Sequence, residues 1–197
     1  NGLPLISYTI DYAKKSKLID RIFVSTDGKE IASVSKKFGA EIIMRPKNLS
    51  NDVIMPDHAV VHAIDYVEKV LHYNFDYVVF LQPTTPLRES AELDEAIKYC
   101  LKKNFDTVFS SIDYKPFLWR RNKHSIYPVT GNPFKRKRRQ IMNDINETGS
   151  YYITNKATFK KFKNRFGKKV SNYDSDILSL FEIDTLNDYK FIKELFK

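Results

Sequence analysis

The sequence predicts an α/β protein built on a doubly wound, mostly parallel sheet. Three observations carry that prediction. Amphipathic helical segments and short apolar runs alternate in a fixed order, helix then strand, through the first 111 residues. The runs Ile22 to Val24 and Val78 to Leu81 are continuously apolar, as strands covered on both faces tend to be. The 197 residues, 42% of them hydrophobic, suffice for one domain with a sizeable core. Crossovers between parallel strands should be right-handed.

Each element follows from its residues. Residues 4–17 predict a helix, with Pro4 suited to its first turn and Leu5, Ile6, Thr9, Ile10, Ala13 and Leu18 marking an apolar face. A strand spans 21–25. The turn Thr26-Asp27-Gly28 then caps a helix that runs to Phe38 and ends at Gly39. A short strand occupies 41–44. A helix over 57–71 turns Val60, Val61, Ile64, Val67 and Leu71 inward. Residues 77–81 form the central strand, 90–103 a helix capped by Ser90, and 107–111 a further strand. Residues 112–142 break the pattern. They hold Pro116, Pro128, Gly131 and Pro133, the aromatics Tyr114, Phe117, Trp119, Tyr127 and Phe134, and the basic run Lys135 to Arg139. That is too long for a plain connection, so it is either a functional arm or a flexible insertion. A strand over 150–154, a helix from Lys156, a polar stretch, a strand over 180–184 and a final helix over 186–196 complete the single domain.

Charge and composition exclude several classes. The net charge is +9, which implies anionic partners: nucleotides, sugar acids, nucleic acid or a membrane surface. No apolar run approaches the ~20 residues needed to span a bilayer, and the first residues lack the basic start of a secretory signal. Cys100 is the single cysteine and falls on the apolar side of its helix, so an internal disulfide is impossible and a cytoplasmic location is expected. His58 and His62 share a helix face, but no third ligand accompanies them, and a packed or solvated pair is expected. There is no Walker loop and no nucleophile elbow.

The richest stretch is the loop after the central strand, Gln82-Pro83-Thr84-Thr85-Pro86-Leu87-Arg88. Two prolines stiffen it and restrict their predecessors, which pre-positions the side chains between them. Gln82 offers two donors and an acceptor, the threonines offer hydroxyls, and Arg88 can grip a carboxylate or phosphate. Ligands of open α/β sheets sit at such carboxyl-terminal edges. The same loop also reads as a simple helix entry. Near the end, Glu182 and Asp184 stand two residues apart in an expected strand, which puts both carboxylates on one face about 6–7 Å apart, where they can share a Mg²⁺ ion. Thr185 and Asp188 alternatively make this acidic group the start of the last helix.

Gln82 to Arg88 resembles the Gln-Pro-Thr-Ser-Pro-Leu-Arg signature of the CMP-sialic acid synthetase (acylneuraminate cytidylyltransferase) family. Four further segments agree in order: Asn1-Gly2-Leu3-Pro4-Leu5-Ile6; Val24-Ser25-Thr26-Asp27 with Glu30-Ile31-Ala32; Arg45-Pro46 with Leu49 and Asp52; and Glu182-Ile183-Asp184-Thr185. Glu147-Thr148-Gly149 resembles the family's Glu-Asn-Gly segment with threonine in the middle, and Arg139-Gln140 matches an Arg-Gln pair before it. The resemblance implies a nucleotide-diphospho-sugar transferase-like fold. It implies an enzyme that joins CTP to a nonulosonic (sialic-type) acid, giving CMP-sugar and pyrophosphate for cell-surface polysaccharide synthesis. Asp184 with Gln82 and Arg88 would be catalytic, and Glu182 and Asp184 would hold Mg²⁺. Arg45 and Asp27 would meet CTP. Gln82, Thr84, Thr85, Arg139 and Gly149 would meet the sugar acid, with Gly149 permitting close backbone approach. The 112–142 arm would reach across a homodimer. The family carries a glycine-rich basic loop before the segment matching Asn1. Without it, weak or absent catalysis is expected of these 197 residues. A cytidylyltransferase for another sugar acid or alcohol is the near alternative. A nucleic-acid-binding module using Lys135 to Arg139 and the nearby aromatics is the distant one, told apart by steep salt dependence.

Overall fold

The computed structural model describes residues 2–51 and 53–195. Asn1 and Asp52, both cited in the resemblance, and Phe196 of the expected last helix lie outside the described residues. The elements run α1 (Leu5–Lys15), β1 (Phe23–Thr26), α2 (Lys29–Lys37), β2 (Glu41–Met44), α3 (Pro56–Lys69), β3 (Tyr77–Leu81), α4 (Glu92–Lys103) and β4 (Thr107–Ile112). Then follow β5 (Trp119–Arg121), β6 (Ile126–Pro128), β7 (Asn146–Asn155), α5 (Lys156–Phe162), β8 (Val170–Asp174) and α6 (Leu186–Leu195).

The α/β class is as expected, and the sheet is mixed. β1 and β2 pair in parallel, and β3-β7-β4-β8 form a four-stranded sheet. β7 runs antiparallel to both β3 and β4, while β8 runs parallel to β4. The reason lies in the connection. The chain leaves β4 through the irregular 113–145 segment and returns beside it, and such a return reverses direction without a helical crossover. α4 and α5 pack on this sheet, and α2 and α3 pack against the β1–β2 pair. Leu93, Ala96, Ile97 and Cys100 of α4, Tyr12 of α1, Val108 of β4, and Tyr151 and Ile153 of β7 form the core. Burial pushes the Cys100 thiol up to about 11, consistent with a packing role. No helix among the described residues is long and apolar enough to cross a membrane.

Several boundaries differ from expectation. Ser90 does not cap α4; Ala91 precedes its first turn with no side-chain bond, and Glu92, Asp94 and Glu95 face the helix dipole instead. Gly28, not Asp27, occupies the cap position of α2. The polar stretch contains β8, an edge strand with exposed ends whose residues give no apolar alternation. Residues 180–184 are not a strand: a 3-10 turn over Ile177–Leu180 leads into unpaired chain. The arm folds into a small antiparallel hairpin, β5 with β6. Trp119, Ile126, Tyr127 and Phe134 stay exposed, Phe134 to 94%.

Candidate active site

The loop after β3 and the segment before α6 meet at one place. The Ile183 N–H donates to the Thr84 carbonyl at 2.8 Å. The Thr85 hydroxyl, fully buried, faces the Glu182 carboxylate at 3.4 Å. This cross-link replaces the strand ladder expected for 180–184, and it still brings Glu182 and Asp184 onto the wall of one cavity of about 260 Å³, with Phe181, Asp188 and Phe191. A second cavity of about 260 Å³ shares Leu180 and Glu182 with the first and is lined by Gln82, Glu147, Thr148, Gly149 and Tyr152 as well.

A bulge in β7 shapes that second cavity. Between the pairs Phe109↔Tyr152 and Ser111↔Glu147, two steps along β4 are matched by five along β7. The surplus residues loop out, as bulges beside active sites commonly do. Ser110 pins the loop from beneath. Its hydroxyl accepts from Thr148 Oγ1 at 2.8 Å and from the Tyr151 N–H at 3.1 Å, and donates to the Tyr151 carbonyl at 3.3 Å. Thr148 therefore faces inward and holds the bulge; its side chain is buried. Gly149 sits at the crest with φ +69°. A methyl there would overlap Glu182 Oε1 and stand 2.8 Å from Gln82 Oε1. Only glycine lets the backbone come this near both side chains.

Electrostatics single out Glu182. Burial, then the neighbouring Asp184 and, more weakly, Glu147 push its carboxyl above the usual carboxylate range, against the pull of Thr85 and Arg88. A carboxylate crowded by like charges is what a cation would relieve. No group of three or more His, Cys, Asp or Glu side chains among the described residues is arranged to hold a metal. Two carboxylates with substrate phosphates completing the shell are enough for Mg²⁺, so Glu182 and Asp184 fit that ion.

Arg88 lies elsewhere than expected. Its guanidinium turns into the protein, donating to Ser150 Oγ at 2.9 Å, Thr9 Oγ1 at 3.0 Å and the Ser150 carbonyl at 3.0 Å, as well as to the Gln82 carbonyl. Burial pushes it down to about 10. It ties the Gln82 loop to β7 and α1. Arg45 and Asp27 pair with each other at 3.4 Å at the ends of β2 and β1, and Arg45 Nε also donates to Ser50 at 3.0 Å. They do not line either cavity. Arg139 stands in the arm over the Tyr114 ring, 5.7 Å from its centre, and lines neither cavity of its own chain.

Two features escaped the sequence. Tyr152 donates to the Glu147 carboxylate beside the pocket. Behind it, Asp57 and Arg165 form a buried ion pair: Arg165 donates to the Asp57 carboxylate from its backbone N–H at 2.7 Å, from Nε at 3.1 Å and from Nη2 at 2.9 Å. Asp57 signals only a helix start in the sequence, and nothing local pairs it with a residue 108 positions on.

Comparisons with known proteins bear on the family and the fold. A profile described as cytidylyltransferase matches residues 1–197. The N-acylneuraminate cytidylyltransferase of Escherichia coli is 26% identical over 191 residues, which cover 95% of this chain and 44% of that protein. Its counterpart in Oncorhynchus mykiss is 30% identical over 167 residues, covering 81% of this chain and 37% of that protein. The chain thus spans less than half the length of these two curated relatives. The pseudaminic acid cytidylyltransferase of Campylobacter jejuni is 26% identical over 201 residues, covering all of this chain and 86% of that protein. Among solved structures, 4-diphosphocytidyl-2C-methyl-D-erythritol synthase from Anaerococcus prevotii superposes with a TM-score of 0.69 at 14% identity, over 100% of this chain and 87% of that one. A CMP:2-keto-3-deoxy-manno-octonic acid synthetase complexed with CTP gives 0.69 at 10% identity, over 98% and 87%. At such identities the likeness establishes the fold, that of the nucleotide-diphospho-sugar transferases.

Proposed function

The chain belongs to the cytidylyltransferase family, and from that premise we propose that the native protein transfers CMP from CTP to a nonulosonic, sialic-type acid. The anomeric hydroxyl of the sugar attacks the α-phosphorus and gives up its proton to solvent, the bond to the bridging oxygen breaks, and pyrophosphate leaves with the β- and γ-phosphates. The observation that carries this reading is the convergence of Gln82, Gly149 and Glu182 on one cavity, with Asp184 on the adjoining one. The names of the relatives, N-acylneuraminate and pseudaminic acid cytidylyltransferases, point to the class of acid.

Each residue then has a task. The Gln82 amide orients the sugar, and Gly149 lets it approach the β7 backbone. Thr85 steers Glu182 rather than touching substrate, since its side chain is buried. Glu182 and Asp184 would hold Mg²⁺, which when bound would neutralise phosphate charge. Arg45 and Asp27 meet the nucleotide at the β1–β2 edge. Arg88 braces the Gln82 loop. The exposed aromatics and basic run of the arm suit a homodimer in which Arg139 meets the substrate bound by the other copy. A monomer in sedimentation would sink that part. We place the reaction in the cytoplasm, where nucleoside triphosphates are made, as a step toward cell-surface polysaccharide.

The test is release of pyrophosphate by the native protein with CTP, Mg²⁺ and a panel of nonulosonic acids. Turnover with CTP and at least one such acid is expected. Turnover only with a sugar alcohol or another acid class would move the substrate, and none with any acceptor would remove the reading.

A further inference from the structure

Glu147 has no part in the chemistry above, yet it stands on the wall of the Gln82–Gly149–Glu182 cavity. Its position is fixed from behind by a chain of contacts. The Tyr152 hydroxyl donates to Glu147 Oε1. The Tyr152 ring stacks on Phe80 with centroids 6.0 Å apart, and the Arg165 guanidinium lies 4.4 Å from its centre. Arg165 is anchored on the buried Asp57 carboxylate at 2.9 Å and 3.1 Å. The Glu147 carboxylate is exposed, near the start of β7. An ion pair, a cation–ring contact and a hydrogen bond in series hold it still.

An ionised carboxylate only accepts hydrogen bonds. One Glu147 oxygen takes the Tyr152 hydroxyl, and the residues that line the cavity include no lysine or arginine to neutralise the other. With Glu182 across the cavity, the wall is negative. A sugar acid's own carboxylate is therefore turned away from it, and what enters must bring N–H or O–H donors. We propose that Glu147 is a specificity-determining residue that accepts a hydrogen bond from an amide N–H or hydroxyl substituent of the sugar acid. Tyr152 and Arg165 are its positioning residues. The inference rests on the cytidylyltransferase reading.

The test compares three acids with the native enzyme: one with an acylamino group at the position under study, one with a hydroxyl there, and one deoxy at that carbon. Pyrophosphate release gives kcat and KM separately for each acid and for CTP. The wild type should favour a donor-bearing acid over the deoxy acid by about ten- to hundred-fold in kcat/KM. Glu147→Ala should erase that preference, bringing the donor-bearing acid down to the kcat/KM of the deoxy acid chiefly through KM for the acid. Tyr152→Phe should weaken the same preference in part, which a merely structural role would not do. Glu147 is exposed, but its variant leaves the buried Tyr152 hydroxyl without its acceptor, so Tm should fall by only a few degrees. Which donor-bearing acid the wild type prefers identifies the group that Glu147 reads. Unchanged discrimination in Glu147→Ala overturns the assignment and leaves the cytidylyltransferase reading standing. Absence of turnover with any acid by the wild type overturns both.

Discussion

Gly149→Ala separates backbone strain from crowding at the pocket. The residue sits at φ +69°, a region that costs a side-chain-bearing residue about 1–2 kcal/mol. In a chain of this size that lowers Tm by roughly 2–8 °C. The added methyl also overlaps Glu182 Oε1, which must retreat by about 1 Å to regain ordinary contact, and presses on Gln82 Oε1 from 2.8 Å. A shift of that size in a positioning group costs about 100-fold in rate. Gly39→Ala provides the comparison. Its φ is +94°, but the nearest atom is Lys14 Nζ at 3.6 Å, so it carries strain without a clash. Differential scanning fluorimetry and kcat/KM from pyrophosphate release are measured on both. A few degrees of destabilisation are expected in each, with the hundred-fold activity loss confined to Gly149→Ala. Full activity in Gly149→Ala, or an equal loss in Gly39→Ala, would refute the claim that this close approach serves catalysis.

Glu182→Gln should melt higher than the wild type at pH 7. The folded carboxyl is raised above its unfolded value, so folding is favoured by the proton and stability falls as pH rises from the ordinary glutamate range through the folded pKa. The gap in Tm should close in acid, and a lower Tm at pH 7 would contradict the sign. Asp57→Ala strands the Arg165 charge and should cost about 3–5 kcal/mol in chemical denaturation, more than the double replacement Asp57→Val/Arg165→Met. Arg165 holds the Asp57 carboxyl below its usual range although burial opposes it, so the stability the pair supplies is present above the unfolded pKa and fades as pH falls through the folded one. Mg²⁺ with CTP should raise the wild-type Tm by mass action, and Asp184→Asn should abolish the Mg²⁺-dependent part; an undiminished shift would move the ion elsewhere.

What the sequence made legible was local. The apolar run Val78 to Leu81 announced β3, and the prolines announced a stiff loop. The period of apolar residues located α1 and α3 to within a turn or so. The β7 bulge was invisible because its cause is the Ser110 hydroxyl on another strand. β8 was missed because an edge strand with exposed ends needs no apolar alternation. Glu182 and Asp184 were placed on one wall for the wrong reason. The sequence suggested a ladder, and a single bond from Ile183 to Thr84 serves instead. The bracing bonds of Arg88 were invisible for a related reason: its acceptors on Thr9 and Ser150 lie 79 and 62 positions away in the chain.

Charge is distributed in a way that composition hides. The chain carries +9, yet both cavities are walled by carboxylates and neither is lined by a lysine or arginine. The basic run lies in the arm, where Arg136 rests 4.4 Å from the Phe117 ring centre and Arg139 over Tyr114. Joining CTP to a sugar acid brings two anions together, and a negative wall opposes that unless a cation comes with them. The one arginine of the Gln82 loop is committed to bracing it. On the proposed reading, neutralisation therefore falls to Mg²⁺ on Glu182 and Asp184 and to basic residues from outside this pocket. On that reading Glu147 would select by hydrogen bonding while those cations would make the approach of the anions possible.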